Sequence, residues 1–376
     1  VRLRRFLMEN WLAEYKDFCP FNLGESGMPD VTVGELLSRC GETTESISEL
    51  ILKDNDTRGT ERLRSAISAT YGNDINPENI TVTTGTSEAL FILFCISLEQ
   101  RTSVVVPFPS FQALYEVPRA LGAQLKFYHL DSKRRFIPEP DEVCNLIDDT
   151  TGVVVINTPH NPSGSMLPDD VAGKILKKAA FHGAMVIVDE HYRFLPVGGN
   201  PPITSFARPD ENVIATGSIT KCFGLVGLRM GWIVAPQSLI YRIRDFRDYI
   251  THTLSPVSDF LAAVALENAP AFLENNCSVL RSNRSSLEEM VQNTYGLSLI
   301  PPQGGAVAFP RYDYQLLSED FTRGLIQKHG VFVLPGNTFE VENHFRLNIG
   351  QPPALFQKAL THIHDFCLSL ENKCSG

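Results

Sequence analysis

The segment Ser218-Ile-Thr-Lys221-Cys-Phe-Gly224-Leu-Val-Gly227-Leu-Arg229-Met-Gly231 concentrates residue types that hold and react with a small anionic ligand. Its lysine stands just beyond a run that reads as a buried strand. A lysine placed there loses basicity and condenses with an aldehyde. The glycines allow close backbone approach, and serine, threonine and arginine side chains share a phosphate. Taken alone, the segment describes equally well a loop lysine in solvent beside a structural glycine turn.

Other segments supply what that lysine would need. Val186-Ile-Val-Asp189 is an apolar strand ending in a carboxylate, a group that keeps a pyridine-type nitrogen protonated. By itself Asp189 reads as a helix cap. Thr158-Pro-His-Asn161-Pro-Ser-Gly164 follows another strand and offers Asn161 as a hydrogen-bond donor, though it is also simply a turn. In Thr83-Thr-Gly85-Thr86-Ser87-Glu-Ala a strand passes into a helix, whose first-turn amides and dipole suit an anion. Any capped helix has a similar sequence.

These groups must be carried by a scaffold, and the pattern of the chain says which. Runs rich in β-branched residues at 80–84, 103–107, 125–129, 152–157, 184–189, 212–218 and 230–235 read as strands. Helical periodicity fills 60–71, 87–98, 169–182 and 239–254. Strands alternating with helices predict an α/β fold with a mostly parallel central sheet flanked by helices. Nearly every strand ends in Gly, Pro, Asn, Asp or Ser, so the polar chemistry collects at the carboxyl ends, where open α/β sheets bind ligands. From about residue 269 the pattern changes to a long polar helix, short strands and the amphipathic stretch 353–370, which reads as a smaller α+β domain. The expected division is an N-terminal arm packing on the small domain (1–48), a large domain (49–268) and the C-terminal small domain (269–376).

Composition narrows the function further. A net charge of −10 provides no general basic field for a phosphate backbone, so no nucleic-acid partner is expected. The eight cysteines include no C-x-x-C pair and no zinc-type His/Cys cluster, which predicts reduced thiols and no metal site. The apolar runs are much shorter than a membrane span and the N-terminus lacks a signal-like core. A cytoplasmic protein without a membrane partner is expected.

In order and spacing, the four segments together resemble the class I/II aminotransferase family, fold type I enzymes that use pyridoxal 5′-phosphate (PLP). The resemblance runs from about Phe21 to Cys367. It implies that Lys221 carries the cofactor and shuttles protons, that Asp189 faces the ring nitrogen, and that Asn161 and Tyr192 face the phenolic oxygen. Gly85, Thr86, Ser87, Ser218 and Arg229 become the phosphate cradle, and Phe111 the aromatic wall that stacks on the ring. Arg346, in Phe345-Arg346-Leu-Asn-Ile, becomes the clamp for a substrate carboxylate. Without the family, Phe111 reads as a core aromatic and Arg346 as an ordinary strand arginine. A homodimer and an amino acid substrate are implied as well.

One position departs from the family pattern. Where typical members place a tyrosine that reaches a neighbouring subunit's phosphate, this chain has Asp54, whose charge a phosphate would repel. Short segments including Glu9-Asn-Trp11-Leu12, Arg247-Asp-Tyr249-Ile-Thr251, Arg281-x-Asn-Arg284 and Gly304-Gly305 are similar to a narrower branch, the capreomycidine- and enduracididine-forming cyclases. That resemblance implies conversion of a 3- or 4-hydroxylated L-arginine into a cyclic guanidino amino acid. Such a reaction needs acids that hold a guanidinium. Glu9, Glu25 and Asp54 are the candidates, Glu9 first. The alternatives are an ordinary aminotransferase and a non-enzymatic ligand sensor. His160 and His191 are read either as proton relays or as packing behind the cofactor, and Cys222 as packing.

Overall fold

The computed structural model describes residues 2–72, 74–98, 102–199 and 201–374. Seven strands form the central sheet in the spatial order Ile80–Thr83, Gly231–Val234, Val213–Ser218, Met185–Asp189, Thr151–Asn157, Ser103–Phe108 and Gln124–His129. All neighbours pair in parallel except Gly231–Val234, which runs antiparallel to both strands beside it. Val104–Val106, Val153–Ile156 and Val186–Val188 are buried on both faces. Such continuous apolar runs are what a sheet covered on both sides requires. This is the expected α/β architecture, with a mostly parallel central sheet.

Register sets up the chemistry at the carboxyl ends. Asn157, Asp189 and Thr216 are direct partners across three adjacent strands. Ser218 closes the third of these, and Lys221 follows three residues on. Helix Thr86–Ser97 lays Ala89, Leu90, Leu93 and Phe94 on the sheet, which aims its N-terminus at the same edge.

The chain beyond the sheet forms helices Pro256–Glu267 and Pro270–Gln292, then a small antiparallel sheet. There Phe345–Asn348 lies between Val307–Ala308 and Leu334–Pro335, and helix Pro353–Cys374 follows. Phe21–Asn22 pairs in parallel with Val331–Phe332, joining the N-terminal arm to this part. Helix Leu7–Tyr15 buries Met8 and Trp11, one turn apart, and is held at both ends. The Leu7 amide donates to Gln112 Oε1 (3.0 Å) and Phe6 packs on Phe111. Farther along, Arg323 lies over Trp11 and donates to the Tyr15 hydroxyl (2.7 Å). Among the described residues no helix is long and apolar enough to cross a membrane.

The helix expected over 239–254 is shorter, Gln237–Arg247. Arg247 is fully buried, accepts the amides of Ile250 and His252 on its carbonyl, and donates to the Thr57 carbonyl and Thr251 Oγ1. Those bonds turn the chain out of the helix and leave Tyr249 on the surface.

Candidate active site

A cleft of about 560 Å³ opens at the carboxyl ends of the central strands, with helix Leu7–Tyr15 along one wall. Lys221 lines it. Its carbonyl accepts the Met28 amide (2.8 Å), and a side chain on Gly27 would come within 3.2 Å of that same carbonyl oxygen. Burial pushes the Lys221 amine below the usual lysine range, the Arg346 charge adds to this, and Glu25 and Glu9 oppose it. An amine that is easily deprotonated is a ready nucleophile toward an aldehyde.

Asp189 lies in the floor of the cleft, held on both oxygens. Thr216 Oγ1 donates to Oδ1 (3.0 Å). His191 Nδ1 lies 3.1 Å from Oδ2, and Asn157 Nδ2 reaches Oδ2 at 3.4 Å and the Asp189 carbonyl at 3.1 Å. Asn161 and Phe111 line the same space.

At the far side is an anion seat. Gly85 caps helix Thr86–Ser97 with φ +78, a conformation natural to glycine. Thr86 and Ser87 begin the helix, where backbone amides have no intrahelical partner. A Cβ on Gly85 would meet Arg229 Nη2 at 3.0 Å, so the guanidinium sits over the helix start. A Cβ on Gly231 would come within 2.6 Å of the Gly85 carbonyl carbon and 2.8 Å of the Thr86 nitrogen. Only glycine lets the strand approach the helix end so closely. Helix dipole, free amides and one guanidinium together suit a phosphate group.

Arg346 is buried rather than facing the open cleft. Nη2 donates to the Gly24 carbonyl (2.7 Å) and Nη1 to Asn161 Oδ1 (3.1 Å), with Met8 Sδ 3.5 Å from Nη1; Nε has no partner among the described residues. Burial lowers its pKa to about 10, with Tyr192, Glu9 and Glu25 pulling the other way. The group keeps its charge at neutral pH. A desolvated cation with an unused donor is well prepared for an incoming carboxylate.

The structure sets several of the expected residues back from the cleft. Tyr192 does not line the cleft. Its ring is buried against Gly305 and its hydroxyl donates to the Ser26 carbonyl at 2.7 Å. Ser218 is also set back: its hydroxyl is bonded to Thr220 Oγ1 (2.7 Å), and Thr220 is the hydroxyl that reaches the cleft. Asp54 lies on an exposed loop, 3.5 Å from Thr253 Oγ1, and does not join Glu9 and Glu25, which both line the cleft. The two histidines part company. His160 has both ring nitrogens bonded, to Ser163 Oγ (2.7 Å) and the Pro109 carbonyl (2.9 Å), and burial lowers its pKa to about 4, so it is a packing residue. His191 lines the cleft. Cys222 is buried, its thiol on the His191 carbonyl and pushed well above its usual range by burial. No group of metal-ligating side chains forms among the described residues.

Sequence reasoning passed over Met8 and Lys16, which line the cleft from helix Leu7–Tyr15 and the residue after it. The apolar pair Met8 and Trp11 was the available signal. The residues present fit PLP. The seat built by Gly85, Thr86, Ser87 and Arg229 matches its phosphate, Asp189 its ring nitrogen, Phe111 a ring face and Lys221 its aldehyde.

Comparison with known proteins agrees with this geometry. The family model described as aminotransferase class I and II matches residues 41–363. Capreomycidine synthase from Streptomyces vinaceus is 32% identical over 362 residues, covering 95% of this chain and 92% of its own. A PLP-dependent aminotransferase from Streptococcus suis superposes with a TM-score of 0.92 at 26% identity, covering 98% of this chain and 99% of that one. The PLP-dependent cyclase OrfR, solved in complex with Au, superposes with a TM-score of 0.88 at 25% identity, covering 98% of each chain.

Proposed function

We propose, from the premise that this chain belongs to the class I and II aminotransferase family and is a PLP-dependent enzyme acting on an amino acid, that it is a cyclase. Its substrate would be 3- or 4-hydroxy-L-arginine and its product a cyclic guanidino amino acid of the enduracididine or capreomycidine type. The observation that carries the reading is the pair Glu9 and Glu25. These two carboxylates line the cleft that holds Lys221, and both act on the charges of Lys221 and Arg346. A substrate with its carboxylate toward Arg346 and a cationic side chain toward the two acids is complementary to that distribution. The likeness to capreomycidine synthase supports the same reading.

PLP, when bound, supplies an aldehyde for the substrate amine and a ring that takes up the electron pair left at Cα. The remaining work falls to the chain's own residues. Arg346 orients the carboxylate, and Lys221 removes the Cα proton. Asp189 keeps the ring nitrogen protonated, while Glu9 and Glu25 hold the guanidinium near the carbon that loses its hydroxyl. That hydroxyl leaves with a proton as water. A guanidine nitrogen forms the new bond to the side chain and gives up its proton, and a proton returns to Cα, so the net change is loss of one water. Closure within one molecule is favoured by orientation rather than by additional chemistry.

The test is mass spectrometry after incubation with 3- and with 4-hydroxyarginine in the absence of any keto acid. A product lighter by one water supports cyclisation. Cofactor left in its amino form, with no cyclic product, supports the second reading, a transaminase, which the likeness to the Streptococcus suis aminotransferase favours. A homodimer is part of the proposal. Ile51, Leu52 and Tyr249 are 73%, 79% and 92% exposed near the Asp54 loop, more apolar surface than a monomer needs to show there. Sedimentation of the purified protein tests it.

A further inference from the structure

His191 lines the cleft beside Asp189. It lies two positions past the end of strand Met185–Asp189, and three contacts fix it. Its Nδ1 is 3.1 Å from Asp189 Oδ2, its carbonyl accepts the Cys222 thiol at 3.2 Å, and its ring packs on Tyr192 with centroids 4.0 Å apart. Tyr192 is in turn tied to the Ser26 carbonyl, and Cys222 adjoins Lys221. Nε2 has no hydrogen-bond partner among the described residues, in contrast to His160, where both nitrogens are engaged.

The tautomer follows from the partner. An ionised carboxylate only accepts, so Nδ1 carries the proton and donates it. A carboxylate has about four lone-pair sites. Thr216 occupies one on Oδ1; His191 occupies one on Oδ2, which Asn157 reaches only at 3.4 Å. At least one site remains for a ring nitrogen. The two short bonds, one on each oxygen, fix the plane of the carboxylate. Thr216 alone would leave Oδ2 with only the long Asn157 contact.

We propose that His191 is a positioning residue: through its Nδ1–H it holds the Asp189 carboxylate in the orientation that serves the PLP ring nitrogen. The proposal rests on Asp189 being the partner of that nitrogen and is independent of whether the reaction is cyclisation or transamination. A donor that orients a ligating group in this way changes the affinity of the site by roughly tenfold or more when lost.

The experiment compares H191Q, H191L and H191N with wild type and D189N, using PLP labelled with ¹⁵N in the ring. Two readouts are the dissociation constant of PLP from the holoenzyme and the ¹⁵N shift that reports protonation of the ring nitrogen. Asparagine places an amide nitrogen at the same number of bonds from Cα as Nδ1, whereas glutamine and leucine do not. H191Q and H191L are expected to weaken PLP binding about tenfold and to reduce ring-nitrogen protonation, with H191N restoring both to within about twofold. Circular dichroism monitors folding, and two deletions keep the comparison valid if one of them misfolds. Wild-type values for both deletions, or no rescue by asparagine, overturn the proposal. An unchanged ¹⁵N shift in D189N overturns the underlying assignment of Asp189 instead, so the two failures are told apart.

Discussion

Replacing Arg346 with lysine isolates the planar fork from the charge. In the structure the guanidinium spends two donors on the Gly24 carbonyl and Asn161 Oδ1, leaves Nε unused, and is fully buried behind Met8. A carboxylate entering the cleft displaces the flexible Met8 thioether, a weak acceptor, and meets two coplanar donors. Lysine keeps the charge but offers a single nitrogen, so at least one charge-assisted bond is lost, about 1.5–3 kcal/mol. At about 1.4 kcal/mol per factor of ten, this weakens amino acid binding roughly 10- to 150-fold. The assay is the change in cofactor absorbance on titrating an amino acid and, separately, the amine that lacks its carboxylate. Arg346→Lys should weaken the first by that factor and the second by less than about threefold. Equal losses for both ligands, or none for either, would refute the assignment of Arg346 to the carboxylate.

Three further outcomes follow from the same geometry. Glu9→Gln with Glu25→Gln should weaken binding of hydroxyarginine by up to about 30-fold at low salt, since each exposed pair contributes about 0.2–1 kcal/mol. The neutral urea isostere should be unaffected, and the difference should shrink as salt is added. Capture of PLP by the apoenzyme, followed by borohydride trapping at Lys221, should rise with pH to a midpoint below that of an ordinary lysine, because burial disfavours the ammonium form. The sign for stability agrees: the unfolded chain binds the extra proton between the two pKa values, so the apoenzyme gains stability as pH rises through that window. The double glutamine variant should move the capture midpoint lower still, since Glu25 and Glu9 hold it up. Gly231→Ala should cost about 1–3 kcal/mol and lower PLP affinity, because the added carbon meets the backbone of Gly85 and Thr86 rather than a side chain that can move. Thermal melts and cofactor titration read both effects.

The central sheet was legible because its strands are buried on both faces and leave uninterrupted β-branched runs, and because Asp189 and Lys221 stand where those runs stop. What sequence pattern did not convey depends on partners far along the chain. Nothing near residues 7–15 announces that Leu7 and Arg5 are tied to Gln112, or that Met8 covers Arg346. Helix Ala113–Ala120 has Pro118 in its interior, which supplies no backbone N–H, so its sequence does not read as a continuous helix. Tyr192 shows the same limit at the scale of one hydroxyl. Spacing from Asp189 places its ring correctly in the loop, but the direction of its proton is decided by Ser26, 166 positions away.

The distribution of charge in the cleft explains why distant segments had to converge there. The two cations of the inner site, Lys221 and Arg346, sit deep enough for burial to dominate their acidity. Glu9 and Glu25 remain exposed along the cleft, supplied by an N-terminal arm rather than by the sheet. Buried charges interact strongly and exposed ones weakly. On the proposed reading the inner arginine supplies most of the affinity for an amino acid's carboxylate, while the outer acids adjust which side chain is accepted. Because the arm is separate from the sheet, its side chains can change without disturbing the lysine, and in this chain the arm brings two carboxylates to the cleft.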